Sequence, residues 1–198
     1  MGIREAKKAA KRAMIIKVGR EIFTQEGYDR CSVEKIIASA GIARGTFYLY
    51  FPSKKSLFDA LLEDLYSPII DILLVTYNDL CQLQKGFTER YLQSAISLAQ
   101  ILERNRDMLI VHFREVYSAG PSGDSVRKWR GRVEAIIEDI LQIAIDKDLI
   151  RNFSPKLSAM SMFGAAERMV WAWLQKETEI NRKEIAQMVA DVFWQGLK

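Results

Sequence analysis

Residues 32–58 read SVEKIIASAGIARGTFYLYFPSKKSLF, and the breaks in this stretch decide the fold. Ser32 supplies a side-chain oxygen for the first free amides of a helix. Val33, Ile36, Ile37 and Ala40 then recur at helical spacing, and Gly41 offers the left-handed residue on which helices commonly end. Ile42 and Ala43 lead into a shorter helix ending near Tyr50. Pro52 forces the chain out, and Ser53 caps a further helix in which Lys54 and Lys55 precede a buried set of Leu57, Phe58, Leu61 and Leu62. The middle helix, only about eight residues, is too short to be stable in water by itself. Phe47 and Phe51 fall on one side of it, with Ile42 near the turn, so anchoring on that side must enforce its shape. Arg44, Gly45, Thr46 and Tyr48 come to the side or end left open.

Upstream, the pattern predicts a helix from Ile3 to Glu26 that buries Ala10, Met14, Val18, Ile22 and Phe23 and stops at Gly27. Two short helices joined by a glycine-containing turn, with a third packed across them, form the helix-turn-helix layout that presents its second helix to a DNA major groove. Charge agrees with a polyanionic partner for this end. Residues 1–60 carry twelve Lys/Arg against six Asp/Glu, a net +6, whereas residues 61–198 carry seventeen against nineteen, a net −2.

The whole chain, 198 residues and 49% hydrophobic, is long enough for a small domain and a larger one. No apolar run is long enough to span a membrane, and charges interrupt the N-terminus where a signal peptide needs an apolar centre, so the expected address is cytoplasmic. Cys31 and Cys81 match no metal or redox spacing and read as reduced, partly buried thiols. An enzyme has little support: there is one histidine, with no phosphate-cradling glycine loop, metal cluster or nucleophile elbow, and no catalytic residue, metal or cofactor is expected.

The pattern F-x-x-x-G-Y-x-x-x-S-V-x-x-I from Phe23, followed by A-G-I-x-R-G-T-F-Y-x-Y-F-x-S-K-x-x-L-F to Phe58, resembles the DNA-binding region of the tetracycline-repressor (TetR) family of bacterial transcription regulators. The resemblance implies three N-terminal helices that bind double-stranded operator DNA, a C-terminal domain that binds a small-molecule effector and dimerises, and release from the operator when the effector binds. It implies further that Arg44, Gly45 and Thr46 open the recognition helix towards base edges and phosphates, that Tyr48 and Tyr50 reach backbone or bases, and that Lys54 and Ser32 meet phosphates. Arg44 suits a guanine, whose O6 and N7 a guanidinium grips together. Tyr50 reads equally as a packing residue and Ser32 as a helix cap alone. Ala43 stands where the family often has Ser or Thr, and Ile37 where a small alanine is common. The segment REAKKAAKR at residues 4–12 reads either as a source of phosphate contacts or as a solvated face.

The expected architecture is all-α, about nine helices, with a helix-turn-helix domain over 1–52 and a ligand-binding and dimerisation domain over 53–198. The helix from Lys54 is expected to reach Tyr66, with Pro68 kinking it or opening a new segment. Further helices are predicted at Thr88 to Arg104, Asp107 to Tyr117, Asp124 to Lys147, Pro155 to Lys176 and Arg182 to Gly196, the last opened by an Asn181/Glu184 capping box. The final two are apolar over more than one face, which predicts a homodimer built as a four-helix bundle. Met108, His112, Phe113, Trp129, Phe163, Arg168 and Trp171 are candidates for an apolar effector pocket, each with a core reading beside it. Arg168 is expected either to pair with an acid of the Glu167 type or to hold an anionic headgroup. On this reading the effector tilts the helix from Lys54 and changes the separation of the two heads. An effector-independent or partner-regulated DNA-binding protein is the alternative.

Overall fold

The computed structural model describes residues 2–82, 87–176 and 184. Eight helices and no strand occur among them: α1 Ile3–Glu26, α2 Val33–Ala40, α3 Arg44–Tyr50, α4 Lys54–Gln82, α5 Phe87–Arg104, α6 Arg106–Glu115, α7 Pro121–Asp146 and α8 Pro155–Leu174. The all-α expectation holds. The expected helix from Arg182 to Gly196 lies, Glu184 apart, outside the described residues.

Two helices differ from expectation for reasons of proline chemistry. α4 runs through Pro68 to Gln82 without ending near Tyr66; Leu65, Tyr66, Ile69 and Ile70 are buried on either side of the proline, so packing outweighs the one backbone hydrogen bond it cannot make. α7 begins at Pro121, earlier than Asp124, because the missing amide of a proline costs nothing in a first turn.

The chain divides into two compact units, one of Met1–Leu65 with Asp107–Arg127, the other of Tyr66–Arg106 with the residues from Lys128 onward. The helix-turn-helix segment therefore shares its unit with the first part of α4, with α6 and with the first turns of α7. In its core Phe23, Tyr28 and Phe58 meet with ring centroids 5.0 to 5.8 Å apart. α1 contributes Ile15, Gly19, Ile22 and Phe23. Ala10 is exposed and Met14 and Val18 only half-buried, a correction to the expected face. The rotation has a cause at Gly19: a Cβ there would lie 2.7 Å from Leu57 Cδ2, so the missing side chain lets the buried Leu57 against α1.

The turn between α2 and α3 is set by Gly41, at φ 59° and ψ 41°. Its amide donates to the Ala38 carbonyl at 3.2 Å, and the Ile42 amide to the Ile37 carbonyl at 3.2 Å, the paired bonds of a Schellman ending. Gly41→Ala meets no steric obstacle but is forced into left-handed backbone. It is expected to cost about 1 to 2 kcal/mol and to lower the melting temperature by roughly 2–4 °C per kcal/mol in a chain of this size, measured by thermal circular dichroism.

In the second unit Leu141, Ala144, Ile150 and Ala159 form a buried cluster. Ser154 caps α8 by accepting the Leu157 amide, with Pro155 in the first turn as the sequence predicts.

Candidate nucleic-acid interface

α3 is a seven-residue rod held from one side. Phe47 is 0% exposed and Phe51 3%, and their rings lie 6.1 Å apart. That anchorage leaves Arg44, Gly45, Tyr48 and Leu49 exposed, with Thr46 and Tyr50 half-buried on the flank. A Cβ at Gly45 would meet nothing within 4 Å, so a ligand's backbone can approach there closely. Arg44 rests 3.4 Å from Glu34 and 5.7 Å from the Tyr48 ring. Both members of the Arg44–Glu34 pair face solvent, where such a pair is worth little, so the guanidinium is readily surrendered to a stronger acceptor.

Leu49 was not among the sequence candidates, yet it is 73% exposed and lies one helical turn beyond Gly45 on the open face. Its spacing from Gly45 was the available signal; its apolar character hid it. A leucine so placed matches the methyl group of thymine, a major-groove feature.

Ser32 caps α2, its Oγ accepting the Lys35 amide at 3.2 Å, which leaves its hydroxyl proton to donate elsewhere. Lys54 is directed inward. Its Nζ donates to the carbonyls of Tyr28 at 2.8 Å and Cys31 at 3.0 Å and sits 4.1 Å from the Tyr28 ring centroid. There the ammonium ties the start of α4 to the α1–α2 turn. Burial pushes the neighbouring Cys31 thiol up to about 11, so it stays protonated and unreactive. Cys81 is exposed, contrary to the expected partial burial.

The same unit holds α6 against α1 through polar contacts. Arg20 grips Asp107 with Nε and Nη2, each at 2.5 Å; partial burial works to raise the Asp107 carboxyl, but the hydrogen bonds and charge of Arg20 leave it below its ordinary value. Arg114 Nη1 donates to the carbonyls of Phe23 and Thr24 in the last turns of α1. Glu115, 4% exposed, accepts the Tyr28 amide at 3.1 Å and the Ser122 hydroxyl at 2.8 Å. Asp59 accepts the Ser125 hydroxyl at 2.5 Å.

The effector candidates fall into two groups. Met108 and His112 are buried and Phe113 half-buried, all on α6 in the unit that carries the helix-turn-helix. Trp129, Phe163, Arg168 and Trp171 belong to the other unit. There Trp129 stacks on the buried Tyr66 with centroids 5.6 Å apart, and Arg130 lies 5.2 Å from the Phe163 ring while its Nη2 donates to Glu167 at 2.6 Å. Glu167 is thus held by Arg130, whose Nε–H is buried with no acceptor among the described residues. Arg168 is exposed, on one α8 face with Leu157, Met160, Gly164 and Trp171. A concavity of about 460 Å³ beside α1, lined by Ala9, Arg12, Ala13, Ile16, Lys17, Arg20 and Asp64, includes no effector candidate. No helix among the described residues is long and apolar enough to cross a membrane.

Residues 15–61 match the family model described as bacterial regulatory proteins, tetR family. Residues 85–197 match the one described as tetracyclin repressor-like, C-terminal domain. The HTH-type transcriptional regulator YvdT of Bacillus subtilis (strain 168) is 27% identical over 183 residues, covering 86% of this chain and 89% of that protein. Among solved structures, the SmeT–triclosan complex, SmeT being the repressor of a Stenotrophomonas maltophilia multidrug efflux pump, superposes with a TM-score of 0.80 at 22% identity, covering 96% of this chain and 92% of that one. The transcriptional regulator FadR of Bacillus subtilis in complex with stearoyl-CoA superposes at 0.73 with 20% identity, covering 94% and 99%.

Proposed function

Because this chain belongs to the tetracycline-repressor family of bacterial transcription regulators, we propose that it is a cytoplasmic homodimeric repressor that leaves a palindromic operator when a small, largely apolar molecule binds its C-terminal domain. The observation that carries the reading is α3: two buried phenylalanines hold a seven-residue helix so that Arg44, Gly45, Tyr48 and Leu49 are presented together. Arg44 reads a guanine and Leu49 a thymine methyl, while Tyr48, Thr46 and Ser32 fix the register on phosphates. Tyr50, half-buried on the flank, contributes at the edge of that surface. Lys54 acts by positioning the α1–α2 turn.

Dimerisation is supported by the exposed α8 face, on which Leu157 is 63% exposed, Met160 52% and Trp171 37%. Gly164 on that face has nothing within 4 Å of an added Cβ, so a partner helix can approach closely. Two heads about 34 Å apart would read half-sites one DNA turn apart. The effector class is supported by the aromatic side chains of the second unit, with Trp129 stacked on Tyr66 and Phe163 beside Arg130, and by the ligands of two regulators that share the fold, triclosan and stearoyl-CoA, the latter with a long apolar acyl chain. Met108, His112 and Phe113 would then serve the packing of α6 on the head, and Arg168 and Trp171 the dimer face.

Selection from a random duplex library by the full-length protein, followed by sequencing, tests the reading. Enrichment of an inverted repeat with half-sites about 10 base pairs apart is expected. Arg44→Ala should weaken binding to the selected duplex by about 1 to 3 kcal/mol per half-site and relax the preference at a guanine. Failure to enrich any motif would overturn the proposal. Effector control is checked by native mass spectrometry of the purified protein for a co-purified apolar molecule and by its effect on duplex affinity.

A further inference from the structure

α1 is longer than its packing requires. Residues 3–13 are all exposed, whereas the buried stripe begins at Ile15 and continues through Gly19, Ile22 and Phe23. Stepped backwards at three-to-four-residue intervals, that stripe passes through Lys11, Lys8 and Arg4, with Arg12 at its edge. The side of α1 that faces the core thus carries on past the core, with cations in place of apolar residues. Glu5, the only acid among the first twenty residues, accepts the Gly2 amide at 3.2 Å and so closes the N-terminal end of the helix. Arg12 lies 5.3 Å from the ring of Phe51, the residue that ends α3, which joins the cationic stripe to the end of the recognition helix.

A solvated helix gains nothing from gathering its cations on the face turned towards its own domain. We propose that Arg4, Lys8 and Lys11 form a second DNA-contacting element, a rigid helical arm that neutralises backbone phosphates of the duplex flanking the half-site read by α3. The inference rests on the reading of α3 as the recognition helix. The contact is independent of base sequence, because phosphates carry none, and each phosphate neutralised steepens the salt dependence by about 0.9 for duplex DNA.

The test uses full-length protein with Arg4→Gln, Lys8→Gln and Lys11→Gln combined. A control combines Lys17→Gln, Lys128→Gln and Lys156→Gln, which removes the same charge from exposed positions off the stripe. Affinity is measured by fluorescence anisotropy, across a salt series, on the duplex selected by the wild-type protein, both with about ten flanking base pairs and trimmed to the selected motif. Expected for the arm variant is a loss of at least about tenfold on the long duplex, a slope of log affinity against log salt shallower by about 2 to 3 per protomer, and near-equality with wild type on the trimmed one. Equal losses in both variants, an unchanged slope, or the same loss on the trimmed duplex would each overturn the arm while leaving α3 as the reader. A wild-type protein that selects no duplex would overturn both.

Discussion

Phe47→Ala is expected to cost about 3 to 5 kcal/mol of folding stability, the range for deleting a fully buried phenylalanine, and to abolish duplex binding at temperatures where the rest of the protein is still folded. Phe47 is 0% exposed, and its ring packs against Tyr48 and Phe51 at 5.4 and 6.1 Å between centroids. A seven-residue helix has no intrinsic stability to fall back on, so α3 would lose its orientation along with its anchor. Leu49→Ala, two residues along, is the contrast. Its side chain is 73% exposed, so stability should change by no more than about 0.5 kcal/mol, while affinity should fall for duplexes carrying thymine at the contacted position and be unchanged where thymine is replaced by uracil, which lacks the methyl. Urea denaturation followed by anisotropy separates the two. A Phe47→Ala protein that still binds the selected duplex with wild-type affinity would show that α3 is not held from its apolar side.

That contrast also marks how far the fold and the site could be read from sequence. Phe47 and Phe51 were legible because their burial follows from a local period, and the caps at Ser32 and Gly41 because each is a local hydrogen-bonding requirement. α1 keeps its expected ends and its expected Ile22 and Phe23, but Ile15 and Gly19 are buried in place of Ala10, Met14 and Val18. Its sequence offers two overlapping apolar stripes, and the choice between them is made by Gly19, whose contribution is an absent side chain against Leu57. Counting hydrophobic residues cannot register it. Leu49 was missed because an exposed leucine looks like a core residue until the tertiary structure shows which side of α3 is covered. The contact of Lys54 with the α1–α2 turn is not legible locally, because the carbonyls of Tyr28 and Cys31 that hold its ammonium belong to a turn more than twenty residues away. The effector candidates on α6 were grouped with those on α7 and α8 by composition, and nothing local in LIVHF shows that α6 packs with the helix-turn-helix.

Glu115 is the plainest case of a residue whose role lies wholly in tertiary structure, and its replacement carries the other large effect. In HFREVY it reads as a surface charge, yet it is 4% exposed and accepts from the Tyr28 amide and the Ser122 hydroxyl. Hydrogen bonds to a charged acceptor contribute about 1.5 to 3 kcal/mol each, and their loss leaves both donors buried and unpaired, so Glu115→Ala is expected to cost about 3 to 5 kcal/mol. At roughly 2–4 °C per kcal/mol the melting temperature should fall by about 6 to 20 °C. Glu115→Gln keeps an oxygen for the Tyr28 amide, and the Ser122 hydroxyl can turn to accept from the new amide group, so less than half of that loss is expected. The Tyr28 amide belongs to the turn that leads into α2 and contributes a carbonyl to Lys54, so the alanine variant should bind the selected duplex more weakly than the glutamine variant even below its melting transition. Equal stability and equal affinity for the two variants would mean that the carboxylate does not hold the turn, and that α6 is joined to the head by its buried side chains and the contacts of Arg20 and Arg114.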